Sequence, residues 1–392
     1  MKDNSERHLV MVVVGTRPEV IKLAPLVIRL REVEGLSVRL VSTGQHRELL
    51  DQALCEFGLV ADVDLDLMRP NQTLADSTAR ALTALDRAMV SERPSLVLAQ
   101  GDTTTVLASA LASYYRQVPF GHVEAGLRTG QPYRPFPEEK NREVVARLAS
   151  LHFAPTLRSR DNLLREAIDP ASVHVTGNTG IDALRWVVEQ SARVEPPSSN
   201  SARRTILVTA HRRENLGAPL ESICDAVVDL VAKYLDLRVV FPVHPNPSVR
   251  SMVDARLGRV DRVDLVAPVG YRAFVELMRA SFLILTDSGG VQEEGPSLGV
   301  PVLVLRDETE RPEAVIAGSV QLVGPNRDRI VKAVEVLWND PAAYRRASTA
   351  VNPYGDGFAS ERIIRVIANH FGLDAPPPPP GFNPDWPRLA TT

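Results

Sequence analysis

Residues 282–294 read Phe282-Leu283-Ile284-Leu285-Thr286-Asp287-Ser288-Gly289-Gly290-Val291-Gln292-Glu293-Glu294. A short apolar run, Phe282–Thr286, has the look of a buried strand. It ends in Ser-Gly-Gly, and a helical pattern opens at once. A strand that passes through a glycine turn into a helix is the βα unit of a parallel sheet, so this stretch sets the fold class as α/β. It also hints at chemistry. The glycines let the backbone approach a ligand closely, and the helix's unpaired N–H groups and dipole then face an anion. This is diphosphate-binding logic without the G-x-G-x-x-G of dinucleotide sites. Ser288, Gly289 and Gly290 are the candidate anion contacts. Glu294 lies about one turn further in, where a carboxylate can accept two ribose hydroxyls. The competing reading is a glycine-rich turn before a solvated acidic helix. Downstream, Thr309-Glu310-Arg311-Pro312-Glu313 offers Arg311 for a base or phosphate contact.

Working outward, the same βα alternation fills the chain. The second half predicts strands at Thr205–Thr209, Leu237–Val243, Val263–Val266, Phe282–Thr286, Val302–Leu305 and Val320–Val323. The first half predicts them at Leu9–Val14, Val38–Ser42, Leu96–Gln100, Pro119–Val123, Leu151–Ala154 and Val173–Thr176. Amphipathic stretches such as Glu19–Glu32, Leu74–Glu92 and Thr103–Tyr115 lie between them. Strands this apolar belong to parallel sheets covered on both faces. Two sets of about six predict two doubly wound, Rossmann-like domains. The expected boundaries are 1–190 for the first domain, 191–204 for a linker and 205–357 for the second domain. A helix near Ser360–Phe371, within 358–373, is expected to cross back to the first domain. A proline-rich tail, 374–392, cannot build a core.

Composition narrows the class. A chain of 392 residues, 44% hydrophobic and 24% charged, has material for two full cores. Its net charge of −3 argues against nucleic acid as the main partner. Two cysteines, Cys55 and Cys224, give neither a disulfide framework nor a metal motif. No H-E-x-x-H and no clustered Cys/His spacing argues for a metal. No run approaches the roughly 20 apolar residues of a membrane helix. The expectation is a cytoplasmic protein without membrane insertion.

The remaining motifs sit where strands end, which is where open α/β sheets bind ligands. After the first strand comes Gly15-Thr16-Arg17-Pro18-Glu19, with Lys22 one turn on. Gly15 allows a tight turn and Pro18 suits the first helical turn. Arg17 and Lys22 are either phosphate-facing cations or solvated charges of a well-capped helix. Gln100-Gly101-Asp102-Thr103-Thr104-Thr105 follows another strand. Asp102 is either the cap of the next helix or a proton-handling carboxylate. His122-Val123-Glu124-Ala125-Gly126-Leu127-Arg128 places Glu124 at the same sheet edge, and Phe136-Pro137-Glu138-Glu139 adds Glu138. Three converging carboxylates push one another's pKa values apart, so one can be protonated while another is ionised. That suits removal of a proton from one face of a sugar and its return to the other. The alternative is that the loop acids only pair with Arg128, Arg134 and Arg142. In the second half, Ala210-His211-Arg212-Arg213-Glu214-Asn215 suits an anionic ligand, with His211 a candidate to stabilise a leaving diphosphate or shuttle its proton. Pro242-Val243-His244-Pro245-Asn246-Pro247 reads as a structural turn.

Taken in order, these motifs resemble the non-hydrolysing UDP-N-acetylglucosamine 2-epimerases. The match runs from GTRPEVIKLAPL through GQHRELLDQ, QGDTTT, HVEAGLRTG, PFPEEKNR, TGNTGIDAL, HRREN, PVHPNP and LTDSGGVQEEGPSLGVPVLVLRDETERPEA to YGDG. The resemblance implies a glycosyltransferase-B-like fold whose two domains face a central cleft, no cofactor, and a homodimer. It implies that UDP leaves by anti-elimination across C1–C2 to give 2-acetamidoglucal. UDP then adds back with C2 protonated on the other face, giving UDP-N-acetylmannosamine. The family's catalytic acids fall on Asp102, Glu124 and Glu138, and its histidine on His211. Its nucleotide contacts fall on Arg17, Lys22, Phe274, Ser288, Gly289, Gly290, Glu294 and Arg311. Phe274 carries no signal of its own, and the resemblance makes it an aromatic surface for uracil. Bacterial members often bind a second UDP-N-acetylglucosamine as an activator, and Gln45, Arg212 and His244 match that pattern, which revises the turn reading of His244. Glu48 stands where a Gln is frequent and Asn71 where an Arg is often found. Both departures touch the activator site, not the main reaction. Rival readings are a hydrolysing relative that releases UDP and free N-acetylmannosamine, a glycosyltransferase of the same fold that needs an acceptor, and a nucleotide-sugar sensor without turnover.

Overall fold

The computed structural model describes residues 7–44, 47–69, 72–191, 203–309, 311–374 and 377, without the side chains of Arg47, Glu48 and Arg213. Gln45, Asn71, residues 192–202 of the expected linker and nearly all of the proline-rich tail lie outside the described residues. The chain divides into two compact units. One runs to Arg185 and resumes at Gly355, and the other is Trp186–Tyr354.

The first unit is built on β1 (His8–Val14), β2 (Leu36–Ser42), β3 (Val63–Asp64), β4 (Leu96–Gln100), β5 (Phe120–Val123), β6 (Leu151–Ala154) and β7 (Val173–Val175). Their order is β3-β2-β1-β4-β5-β6-β7, parallel throughout. The apolar run Val10–Val14 explains the central place of β1, since each of its five residues is at most 1% exposed. Only a strand covered by helices on both faces buries consecutive side chains in this way. On one face Met11, Val13, Val97 and Ala99 pack with Leu85 and Met89 of helix Leu74–Glu92 and Val106 of helix Thr104–Tyr115. The sheet has seven strands where about six are read from the sequence. The extra one, β3, is two residues long. Its surroundings, Val63-Asp64-Leu65-Asp66-Leu67, do alternate, but an acidic edge pair lacks the β-branched run that marks a strand.

Helix Ala359–His370 belongs to this unit and packs on helix Arg17–Leu30. Its cap comes from far away in sequence. Asp182 accepts hydrogen bonds from the backbone N–H of Ala359 (3.1 Å) and Ser360 (2.6 Å). Arg362 adds bonds to Asp356 and to the carbonyl of Thr176.

The second unit is built on β8 (Arg204–Thr209), β9 (Leu237–Pro242), β10 (Val263–Val266), β11 (Leu283–Thr286), β12 (Val302–Val304) and β13 (Val320–Leu322). Their order is β10-β9-β8-β11-β12-β13, again parallel. Ile206, Val208, Leu283 and Leu285 join Ile223, Val227 and Leu230 of helix Ala218–Lys233 in its core. In each unit the strand order reverses direction once, between β1 and β4 and between β8 and β11. At such a switch point the loops after adjacent strands diverge and leave a crevice for a ligand. The motifs after β1 and β4 flank one switch point, and those after β8 and β11 flank the other.

Candidate active site

At the first switch point the loops after β1 and β4 are pinned together. Helix Arg17–Leu30 opens with Arg17, half-buried, and Pro18 in its first turn. Glu19, 2% exposed, accepts from the backbone N–H of Gly15 (2.5 Å) and Thr16 (2.9 Å). Its other oxygen accepts from the Thr103 hydroxyl at 2.6 Å. Burial pushes the Glu19 carboxyl up to about 7, against those three hydrogen bonds. The sequence reading passed over Glu19 because an acid in a first helical turn has an ordinary dipole explanation. Gly15 serves space rather than turn conformation. A Cβ there would collide with the hydroxyls of Thr43 and Thr105, which lie 3.0 Å from each other.

Asp102 is not the cap of helix Thr104–Tyr115. Thr103 is, with its hydroxyl accepting from the N–H of Val106. One residue of shift frees the Asp102 carboxylate, which lies 3.5 Å from the Arg142 guanidinium. Asn141 holds the Asp102 carbonyl at 2.8 Å. Burial pushes the Asp102 carboxyl up to about 6, Arg142 opposes this, and the charges of Glu124 and Glu138 push further upward. The three acids therefore act on one another at one sheet edge.

Glu124 follows β5 with φ +64°, in the left-handed region. A non-glycine residue there costs on the order of 1–3 kcal/mol and persists only when its surroundings fix it. They do so here. Lys22 donates to Oε1 at 2.6 Å, Asn178 donates to the same oxygen at 3.3 Å, and Gln100 donates to Oε2. Lys22 thus contacts a carboxylate, with its side chain only 14% exposed. Buried His122 holds the Gly101 carbonyl through Nε2 at 2.7 Å, and burial drives its pKa down to about 3, so the ring stays neutral. Glu138 is the first residue of helix Glu138–Leu148, and its Oε2 is buried without a hydrogen-bond partner. Among the arginines at this edge, Arg142 meets one site acid, Asp102. Arg128 pairs with Glu166 at 2.7 Å, and Arg142 reaches Glu139 at 3.2 Å as well as Asp102. Asn178, Gln100 and Asn141 lay inside quoted motifs, but nothing in their spacing marked them as partners of the acids.

At the second switch point Ser288, two residues past β11, caps helix Gly289–Ser297 by position, its hydroxyl making no capping bond. Arg311 lies across the turn, and a Cβ on Gly289 would come within 2.6 Å of its Nη1. Glu293, 2% exposed, pairs with Arg311 and fixes that position. Tyr271 donates to Glu294 Oε1 at 2.8 Å. Half-buried Phe274 follows three residues later on helix Tyr271–Arg279, so both rings share a face. His211 and Arg212 follow β8. Their backbone N–H groups both donate to Asp287 Oδ2 at 2.8 Å. The His211 ring stacks on that of His244, with centroids 5.4 Å apart and planes 8° from parallel. His244 Nδ1 accepts from the N–H of Asn246 at 3.2 Å, which is a turn contact. Among the described residues, no group of three or more His, Cys, Asp or Glu could hold a metal ion.

Two parallel sheets in this strand order, each with charged loops at its switch point, define an α/β protein of the glycosyltransferase-B-like kind. The model of the UDP-N-acetylglucosamine 2-epimerase family matches residues 28–368. A Yersinia pestis UDP-N-acetylglucosamine 2-epimerase is 49% identical over 370 residues, covering 92% of this chain and 98% of its own. The Bacillus subtilis enzyme of that name is 48% identical, covering 93% and 96%. A crystal structure of UDP-GlcNAc 2-epimerase from Neisseria meningitidis bound to UDP-GlcNAc superposes with TM-score 0.86 at 44% identity, covering 92% of this chain and all of that one. The chain belongs to the UDP-N-acetylglucosamine 2-epimerase family and is an isomerase.

Proposed function

We propose that the chain interconverts UDP-GlcNAc and UDP-ManNAc without hydrolysis, by anti-elimination of UDP and its re-addition. The observation that carries this is the acid cluster Asp102, Glu124 and Glu138, with Lys22 and Arg142 set among the carboxylates. A glycosyltransferase or a sensor has little use for three mutually repelling acids at one edge. C2–H of the sugar is not acidic, so departure of UDP must accompany its removal. One carboxylate takes the C2 proton while a second, kept protonated by its neighbours, supplies one to the opposite face. Lys22 and Arg142 limit the charge that builds up.

UDP is assigned to the second unit. The N–H groups of the Ser288–Gly290 turn and Arg311 take the diphosphate, and Glu294 takes the ribose hydroxyls. Phe274 faces uracil, and His211 stabilises the departing phosphate. Arg17 is assigned a phosphate contact. Gln45, Arg212 and His244 are assigned to a second, activating UDP-GlcNAc. We read the protein as a cytoplasmic homodimer that uses no metal or cofactor. Among the described residues no helix is long and apolar enough to cross a membrane.

The test is incubation of purified protein with UDP-GlcNAc in heavy water. The expected product is UDP-ManNAc carrying deuterium at C2, with little free UDP at equilibrium. Product lacking deuterium overturns the elimination route. Free N-acetylmannosamine and UDP as main products select the hydrolysing reading instead.

A further inference from the structure

Asp287 is 0% exposed and belongs to no role assigned above. It stands between β11 and the Ser288–Gly290 turn. Its Oδ2 accepts three hydrogen bonds, from the N–H of His211 (2.8 Å), the N–H of Arg212 (2.8 Å) and Asn215 Nδ2 (3.0 Å). Its Oδ1 is buried without a completed hydrogen bond, and lies 3.3 Å from His211 Nδ1. A buried carboxylate oxygen without a donor is costly, on the order of a few kcal/mol. At 3.3 Å the two atoms are in ion-pair contact, and a proton on His211 Nδ1 makes that contact attractive, whereas a bare Nδ1 would set a lone pair against a carboxylate. His244, stacked on the same ring, has the opposite requirement. Its Nδ1 accepts from the N–H of Asn246, so its own proton sits on Nε2.

We infer that Asp287 is a positioning residue for His211. It holds the ring in the Nδ1–H tautomer, keeps Nε2 for the departing phosphate, and stabilises the imidazolium. The inference rests on the role proposed for His211 above. The resting Nδ1–H ring takes up a proton from solvent on Nε2 before UDP leaves, and the resulting imidazolium passes that proton, or lends its charge, to the phosphate oxygen. When UDP returns the proton goes back, and nothing net is consumed. The charged and titratable groups around the ring are Asp287, Arg212 and His244. Burial pulls the His211 pKa down, Arg212 and His244 add to this, and Asp287 opposes it. The same carboxylate ties the His211 loop to the first residues of the diphosphate turn, so leaving-group charge and proton donor share one anchor.

The first measurement uses the native protein and does not depend on turnover. Long-range 15N–1H correlation spectra of histidine-labelled enzyme, assigned with His211→Asn and His244→Asn, report each ring's tautomer. The expected result is Nδ1–H for His211 and Nε2–H for His244. An Nε2–H tautomer at His211 overturns the inference. The second measurement is kinetic. Asp287→Asn is expected to lower kcat by about a hundredfold with KM changed less than about threefold. The kcat limb set by His211 should move to lower pH, because the opposing carboxylate is gone. The pair Asp287→Asn/His211→Asn should be no worse than His211→Asn alone. Multiplicative losses with an unmoved pH limb mean a merely structural role. Asn215→Ala, which also removes a bond to Oδ2, should leave that limb in place. Absence of UDP-ManNAc from the wild type would sink the functional reading and leave the tautomer result standing.

Discussion

Gly289→Ala isolates what the glycine turn does. The added Cβ would lie 2.6 Å from Arg311 Nη1, 2.8 Å from Cζ and 3.2 Å from Nη2, whereas ordinary contact begins at 3.4 Å. The guanidinium must retreat by about 0.8 Å (3.4 minus 2.6). Glu293 holds the same guanidinium through Nε, so the movement strains that pair and pulls Arg311 off its position. A charge-assisted hydrogen bond lost to a ligand is worth roughly 1.5–3 kcal/mol, or about ten- to hundredfold in affinity. The fold should not suffer. Gly289 is the first residue of its helix with no positive φ, and alanine is favoured over glycine in helices by about 1 kcal/mol. The assay is UDP affinity by calorimetry beside thermal unfolding. The expected outcome is UDP binding weakened about ten- to hundredfold with the melting temperature within a few degrees of wild type. With Arg311→Met already in place, Gly289→Ala should add little. Gly290→Ala is the contrast, since its Cβ meets no protein atom within 4 Å. It should leave Arg311 alone and weaken UDP only through the space the diphosphate occupies. Unchanged UDP affinity in Gly289→Ala, or full additivity with Arg311→Met, would refute the reasoning.

Three further outcomes are expected. Arg142 opposes the rise of the Asp102 carboxyl to about 6, so Arg142→Gln should move the acidic limb of the rate profile to higher pH, with activity at pH 6 falling more than at pH 8. An unmoved limb would detach Asp102 from that limb. Burial raises Glu19 from 4.5 to about 7, so its folded state favours the proton and stability is lost as pH climbs through that window. The loss is on the order of 3 kcal/mol. Glu19→Gln should then melt above wild type at pH 8, with the advantage vanishing near pH 5, and an advantage equal at both pH values would contradict this. Tyr271→Phe removes the 2.8 Å bond to Glu294. It should raise KM for UDP-GlcNAc several-fold and spare kcat, and a loss confined to kcat would remove Glu294 from ribose binding.

Much of the fold was legible because parallel strands buried on both faces write themselves as continuous apolar runs. Twelve such runs appear as twelve strands, and their ends shift by only a residue or two. The run that failed, Val63–Asp64, lies at a sheet edge, where one neighbour and partial burial ask little of the sequence. Local capping was less legible. Asp102 and Thr103 are both good caps, and only the backbone shows that Thr103 takes the role and leaves Asp102 to Arg142. Gly15 was readable as a special position but not for its reason, because the hydroxyls that crowd it come from 28 and 90 residues away (43 and 105 less 15).

By itself, the sequence determined the class of each unit, the strand ends where polar motifs gather, and the order of motifs that marks the family. Those properties are local, set by hydrophobic period, by glycine and proline at turns, and by residue types at fixed spacing. The tertiary structure decided which charges meet. Lys22 reaches Glu124 across 102 residues, Thr103 reaches Glu19 across 84, and Asp287 reaches the His211 backbone across 76. A parallel sheet brings the ends of β1, β4 and β5 to one edge whatever lies between them in sequence. Pairings made there have no period to read, and they set the protonation states of the site.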